Sequence, residues 1–164
     1  MKPGVRVLAV SGGVGGAKLA LGLARALDPA ELAVLVNTGD DFEHVGLHVS
    51  PDIDTVLYTL GGIASADAGW QPEGETHAVH GMLRSLGGPE RPVLGDRSLA
   101  APLLRSHGLA GERRLTEITL GFCRQLGIAA RVLPMSDDPV RTHVVTDEGA
   151  IDRKSTRLNS SHRT

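Results

Sequence analysis

The chain has 164 residues, 41% of them hydrophobic, and a formal charge of −2, which suits one globular domain large enough to bury a core. That balance gives no general attraction to nucleic acid or to an anionic membrane. No apolar run reaches membrane-spanning length and the short apolar start is no signal peptide, so a cytoplasmic protein is expected.

In chain order, Val5–Val10 reads as a buried parallel strand. Ser11-Gly-Gly-Val-Gly-Gly-Ala-Lys18 follows, then an apolar helical run to Leu27. Gly12, Gly13, Gly15 and Gly16 let the backbone approach a phosphate at a helix N-terminus, and Lys18 adds a positive charge. The stretch lacks the G-K-[ST] of a Walker A loop and the last glycine of G-x-G-x-x-G. Tight strand–helix packing explains the glycines equally well. Asp28-Pro29 ends the helix and Leu32–Val36 is the second strand, so a βαβ unit in a parallel sheet is predicted.

Asn37–Thr55 then crowds four aspartates, one glutamate and two histidines between apolar segments. Carboxylates this close repel unless a cation or protons neutralise them. Asp40, Asp41, Asp52 and Asp54 therefore point to a hard-cation site, Mg²⁺ holding a phosphate. Pro51 opens the next helix, and capping is the plain alternative for Asp52 and Asp54. The glycine stretch and the acidic stretch each follow a strand end. They share one rim of the sheet, where parallel sheets bind ligands. This convergence argues for a nucleotide or phosphorylated ligand with a metal.

Glu75–Leu86 reads as a helix, with His77 and His80 as surface histidines. Val93–Arg97 is a short strand or turn, and Ser98–Ser106 a helix. Leu115–Leu126 is an amphipathic helix carrying the single cysteine, Cys123, as an inert core thiol. Ile128–Leu133 reads as another buried strand. Behind it, Ser136, Asp137 and Asp138 either bind a ligand or simply turn the chain between two prolines. Arg141–Val145 begins a hairpin that turns at Asp147-Glu148-Gly149.

S-G-G-V-G-G-A-K-L (Ser11–Leu19), N-T-G-D-D (Asn37–Asp41), S-P-D-I-D-T-V-L-Y-T-L (Ser50–Leu60), L-G-D-R (Leu94–Arg97) and L-P-M-S-D-D-P-V (Leu133–Val140) stand in this order. The combination, over about residues 5–149, resembles the 2-phospho-L-lactate transferase family of coenzyme F-420 biosynthesis. The resemblance implies an α/β fold: a Rossmann-like three-layer parallel sheet with an added helical part, truncated here at its C-terminal side. It implies transfer of a phospho-three-carbon-acid unit, of 2-phospholactate or phosphoenolpyruvate type, from a guanosine-diphosphate-linked donor to the deazaflavin Fo. GMP is released, and the family uses Mg²⁺. Carried onto this chain, Asp40, Asp41 and Asp54 would hold Mg²⁺ and orient or deprotonate the Fo hydroxyl, with Asp54 also at an Fo contact. Gly12, Gly13, Gly15, Gly16 and Lys18 would cradle the diphosphate. Asn37, Ser136, Asp137 and Asp138 would complete the nucleotide side, and Asp96 and Arg97 the pocket. A homodimer is implied for the full-length protein.

The departures from the family pattern, at Val93, His77, Glu90-Arg91 and Ser98, fall on the acceptor side. Residues 1–151 are read as the N-terminal portion of the transferase domain. Residues 152–164 are polar, resemble a translated sequencing adapter, and are read as an artefact; the chain alone is expected to be inactive or to aggregate. Two other classes stay open. One is a nucleotide-sugar-binding regulator of the same broader family, which would not bind Fo. The other is an NAD(P) oxidoreductase, against which N-T-G-D-D stands where one ribose contact belongs.

Overall fold

The computed structural model describes residues 6–146 and 149–152. Three parallel strands form the sheet: β1 (Val7–Ser11), β2 (Leu32–Val36) and β5 (Arg131–Pro134), in the order β1-β2-β5. Two antiparallel hairpins stand apart from it. They are β3 (Phe42–His44) with β4 (Leu47–Val49), and β6 (His143–Thr146) with β7 (Gly149–Asp152). The helices are α1 (Gly13–Ala26), α2 (Pro51–Leu60), α3 (Ala78–Ser85), α4 (Ala100–Ala110) and α5 (Leu115–Gln125). The predicted hairpin after Arg141 is present. Its turn residues 147–148, and the tail reading from residue 153 on, lie outside the described residues.

β2 is a continuous apolar run because it is the central strand, hydrogen-bonded on both sides. Ala9, Leu32, Val34, Val36 and Val132 face Ala17 and Ala20 of α1, Ile53, Val56 and Leu57 of α2, and Leu115 and Cys123 of α5. Each fully buried Val, Leu or Ile contributes about 1.5–3 kcal/mol. Small Ala17 and Ala20, both fully buried, let α1 lie close on the sheet. Burial pushes the Cys123 thiol above its ordinary range, as an inert core thiol requires.

α1 starts at Gly13, whose φ of +61° lies in the left-handed region that glycine enters without strain. Pro51 opens α2 at a position where its missing N–H costs nothing. Nothing in the local pattern announces β3 and β4 inside the acidic stretch. They close through Val45-Gly46, both at positive φ, as a two-residue hairpin turn demands. A β-branched residue is a poor signal for such a turn, so local pattern favours a loop there.

The opposite face of the sheet is partly uncovered among the described residues. Leu8 and Val10 are 59% and 62% exposed, and the register places Leu35 and Leu133 in line with Val10. Apolar side chains side by side on an open sheet drive association. The isolated chain is therefore expected to self-associate at micromolar concentration in light scattering. Leu8→Lys with Val10→Thr should shift it toward monomer.

Candidate functional site

The register aligns Ser11 with Val36, and the Asn37 N–H donates to the Ser11 carbonyl at 2.9 Å. The glycine turn and the acidic stretch thus leave one rim of the sheet side by side, as the βαβ reading requires. Asp52, in the first turn of α2, reaches across to α1. Its Oδ1 accepts the Gly13 N–H and its Oδ2 accepts Asn37 Nδ2, both at 2.9 Å. A carboxylate already satisfies the positive end of α1. Asp52 caps the neighbouring helix rather than its own.

The glycines divide by role. A Cβ at Gly16 would lie 2.5 Å from Ser11 Oγ, so Gly16 serves strand–helix packing. Gly12 has Asp52 and Asn37 within 3.4 Å of a Cβ position, and Gly15 faces open space. Lys18 is exposed. Asn37 turns its Oδ1 back to the Gly39 N–H at 3.0 Å. Of the sequence-derived cradle, Gly12, Gly15 and the Asn37 amide therefore border the rim, Gly13 is committed to Asp52, and Gly16 is structural.

Asp41 is buried at the mouth of the β3–β4 hairpin. The ladder pairs Phe42 with Val49, so Asp41 and Ser50 face each other just beyond it. Ser50 Oγ donates to Asp41 Oδ2 at 2.7 Å, and His48 Nε2 lies 3.0 Å from the same oxygen. Asp41 Oδ1 is buried and accepts no hydrogen bond from a described residue.

Asp54 faces elsewhere. The Arg105 guanidinium of α4, wholly buried, holds both its oxygens, Nη1 at 3.3 Å from Oδ2 and Nη2 against Oδ1. Arg105 also donates to the His48 carbonyl at 3.2 Å and stands 5.9 Å from the Phe122 ring centre. Burial pushes the Asp54 carboxyl above the usual carboxylate range; the Arg105 charge opposes it, and nearby Asp41 adds to it. Of the expected trio Asp40, Asp41 and Asp54, Asp54 is thus engaged by a guanidinium. Among the described residues no three acidic, histidine or cysteine side chains gather as a metal site. Asp40 is half-buried in the turn beside Asp41.

A cavity of about 180 Å³ opens beside Asp41, lined also by Thr38, His48, Asp137, Asp138 and Arg141. It lies where β2 and β5 end, and the Met135 N–H to Val36 carbonyl bond of 2.9 Å fixes that edge. The structure thus brings Asp137 and Asp138 to Asp41. Both also shape the fold. Asp137 Oδ1 accepts the Thr116 N–H of α5 at 2.7 Å, and Ser136 Oγ accepts the Asp138 N–H at 2.9 Å.

Asp96 and Arg97 line other cavities. Asp96 caps α3, accepting from Thr76 Oγ1 at 2.6 Å, Val79 N–H at 2.9 Å and Ala78 N–H at 3.0 Å. Glu75 answers by accepting the Arg97 and Ser98 N–H groups at 2.7 and 2.9 Å, while Arg97 Nη1 donates to the Glu73 carbonyl. Gly95 leaves room for the Glu75 side chain in this position, since a Cβ there would fall 2.0 Å from it and displace it. The L-G-D-R and G-E-T stretches form one clip. The Thr76 hydroxyl, then the Val79 N–H, hold the Asp96 carboxyl below its ordinary 3.8. A depressed carboxylate stabilises above the unfolded value, and the contribution disappears as pH falls through the folded one. The α3 N-terminus is therefore expected to loosen on acidification below 3.8, followed by the amide resonances of Ala78 and Val79, and Asp96→Asn should abolish the step.

Sequence reasoning missed Arg105 and the roles of His48 and Ser50. A lone arginine among the apolar residues of α4 is the one local sign of a buried pair.

A model of the 2-phospho-L-lactate transferase CofD family matches residues 7–163. A phosphoenolpyruvate transferase of Kitasatospora aureofaciens is 44% identical over 147 residues, 88% of this chain and 46% of the relative. A 2-phospho-L-lactate transferase of Methanothermobacter thermautotrophicus is 43% identical over 143 residues, 87% of this chain and 46% of the relative. The chain spans about half the length of these curated relatives. Among solved structures, a UPF0052 family protein of Bacillus halodurans matches the fold with a TM-score of 0.51 at 19% identity, over 95% of this chain and 47% of that one. No helix among the described residues is long and apolar enough to cross a membrane. With the strand-end rim, the acidic stretch and the Ser136–Asp138 loop in place, the match over nearly the whole chain shows that it belongs to the 2-phospho-L-lactate transferase CofD family.

Proposed function

We propose that the chain carries the nucleotide- and cation-facing part of a transferase. It would move a phospho-three-carbon-acid unit, of 2-phospholactate or phosphoenolpyruvate type, from a guanosine-diphosphate-linked donor to the hydroxyl of the deazaflavin Fo. The acceptor oxygen forms the new bond to the phosphorus nearer the acid, the bond from that phosphorus to GMP breaks, and the hydroxyl proton is lost. The observation that carries the reading is Asp41, which lines the cavity at the rim where β2 and β5 end and whose buried Oδ1 has no hydrogen-bond partner among the described residues.

Mg²⁺ is held by one or two carboxylates plus substrate phosphates rather than by a full protein cage. Asp41 fits that demand, with Asp40 beside it and Asp137 and Asp138 across the cavity as candidates for its water shell. Asp54 fits only where Arg105 releases it. When bound, the ion neutralises the diphosphate and the charge that develops on it. The chain's own contribution is placement, which dominates phosphoryl transfer. Gly12 and Gly15 offer a close backbone approach, the Asn37 amide holds Asp52 and the Gly39 turn beside them, and Lys18 offers a nearby positive charge. Arg141 offers a second cation at the cavity. Asp96 and Arg97 act at a distance, by fixing the loops before α3 and α4. Activity is proposed for a chain of the relatives' full length, as a cytoplasmic homodimer, and the isolated chain is proposed to be inactive.

The test is GMP release from the guanosine-diphosphate-linked donor by the full-length chain, with and without Fo, followed by chromatography. Release that depends on both Fo and Mg²⁺ supports the reading. Donor binding with no Fo-dependent release points to a nucleotide-binding regulator instead.

A further inference from the structure

We infer that His48 is a positioning residue for the cation site proposed above, and the inference rests on that reading. Two donors, His48 Nε2 at 3.0 Å and Ser50 Oγ at 2.7 Å, close on the same oxygen, Asp41 Oδ2. None reaches Oδ1, although Asp41 is only 7% exposed. A carboxylate torsion is broad and two-fold, so an unheld Asp41 presents either oxygen in either direction. With two donors on Oδ2, the carboxylate is held in one orientation, and Oδ1 is the oxygen left without a partner among the described residues.

His48 is itself held from α4. Its N–H donates to Ser106 Oγ at 2.7 Å, and its carbonyl accepts Arg105 Nη1 at 3.2 Å. The path runs from α4 through the β4 backbone to the imidazole and then to Asp41. A neutral imidazole with its proton on Nε2 is enough, so the device needs no change of charge. The plainer account makes the histidine a hairpin clamp. That account and ours part on what moves when the ring is removed. A clamp changes melting alone, whereas a positioning residue changes cation affinity in chain that remains folded. Groups that orient a metal-binding side chain typically contribute about 10–100-fold in metal affinity.

The experiment titrates the full-length chain with Mn²⁺ alone, read by the loss of the free-ion paramagnetic resonance signal, with melting curves alongside. His48→Leu should weaken Mn²⁺ binding by about 10–100-fold. His48→Gln, which returns an N–H near the Nε2 position, should recover most of it. Asp41→Asn should abolish it. His48→Asn, polar but too short to reach Asp41, takes the place of the leucine variant if that does not fold, and should lose affinity likewise. Wild-type affinity in a folded His48→Leu or His48→Asn chain, with binding lost in Asp41→Asn, overturns the role of His48 and leaves the cation site standing. Equal Mn²⁺ binding by wild type and Asp41→Asn overturns both.

Discussion

Arg105→Leu is expected to destabilise the fold by about 3–5 kcal/mol, the cost of leaving a buried charge without its partner. The guanidinium is wholly buried and meets both oxygens of Asp54. Its removal strands a carboxylate that burial already pushes toward its neutral form. The same substitution frees the His48 carbonyl and empties the contact with Phe122. The loss belongs to the orphaned carboxylate more than to the pair. Asp54→Leu combined with Arg105→Leu should therefore recover most of it, as apolar replacement of a buried pair usually does. Urea denaturation of the two single variants and the double variant measures the coupling. Simple additivity of the two losses would contradict the pairing.

Asp41→Asn is the second large effect, and it separates charge from packing. An asparagine has the same shape, and its side chain can still accept from Ser50 Oγ, so the fold should hold. The negative charge is gone and the open oxygen no longer competes for a cation. Transfer by the full-length chain should fall by at least about 100-fold, since groups that merely orient metal ligands already contribute 10–100-fold in affinity. Melting should be unchanged or raised, because an ionised buried oxygen without a donor is itself costly. A parallel loss of melting temperature and activity would reassign Asp41 to structure.

What the sequence could reveal follows from the range of each interaction. Leu32–Val36 was legible to the residue because a central parallel strand is apolar at every position. The end of α1 at Asp28-Pro29 was legible because proline removes a donor, and the Asp28 carboxylate does take the Ala30 N–H. The shared rim followed from the parallel direction of the two strands, which puts both carboxyl ends at one edge of the sheet. Arg105 was not legible, since it meets Asp54 across 51 positions of sequence and no local pattern links them. The resemblance named L-G-D-R but not its work, which depends on Glu75 coming back to the backbone of Arg97 and Ser98. The packing role in the glycine stretch shows only in the fold, at Gly16, where a Cβ would strike Ser11.

The most direct measurement is calorimetric titration of GDP into the full-length chain, with and without Mg²⁺, for wild type and Asp41→Asn. Binding that requires Mg²⁺ and disappears in the variant is the predicted result. GDP binding that ignores both the ion and the substitution would contradict a cation and diphosphate sharing the Asp41 cavity.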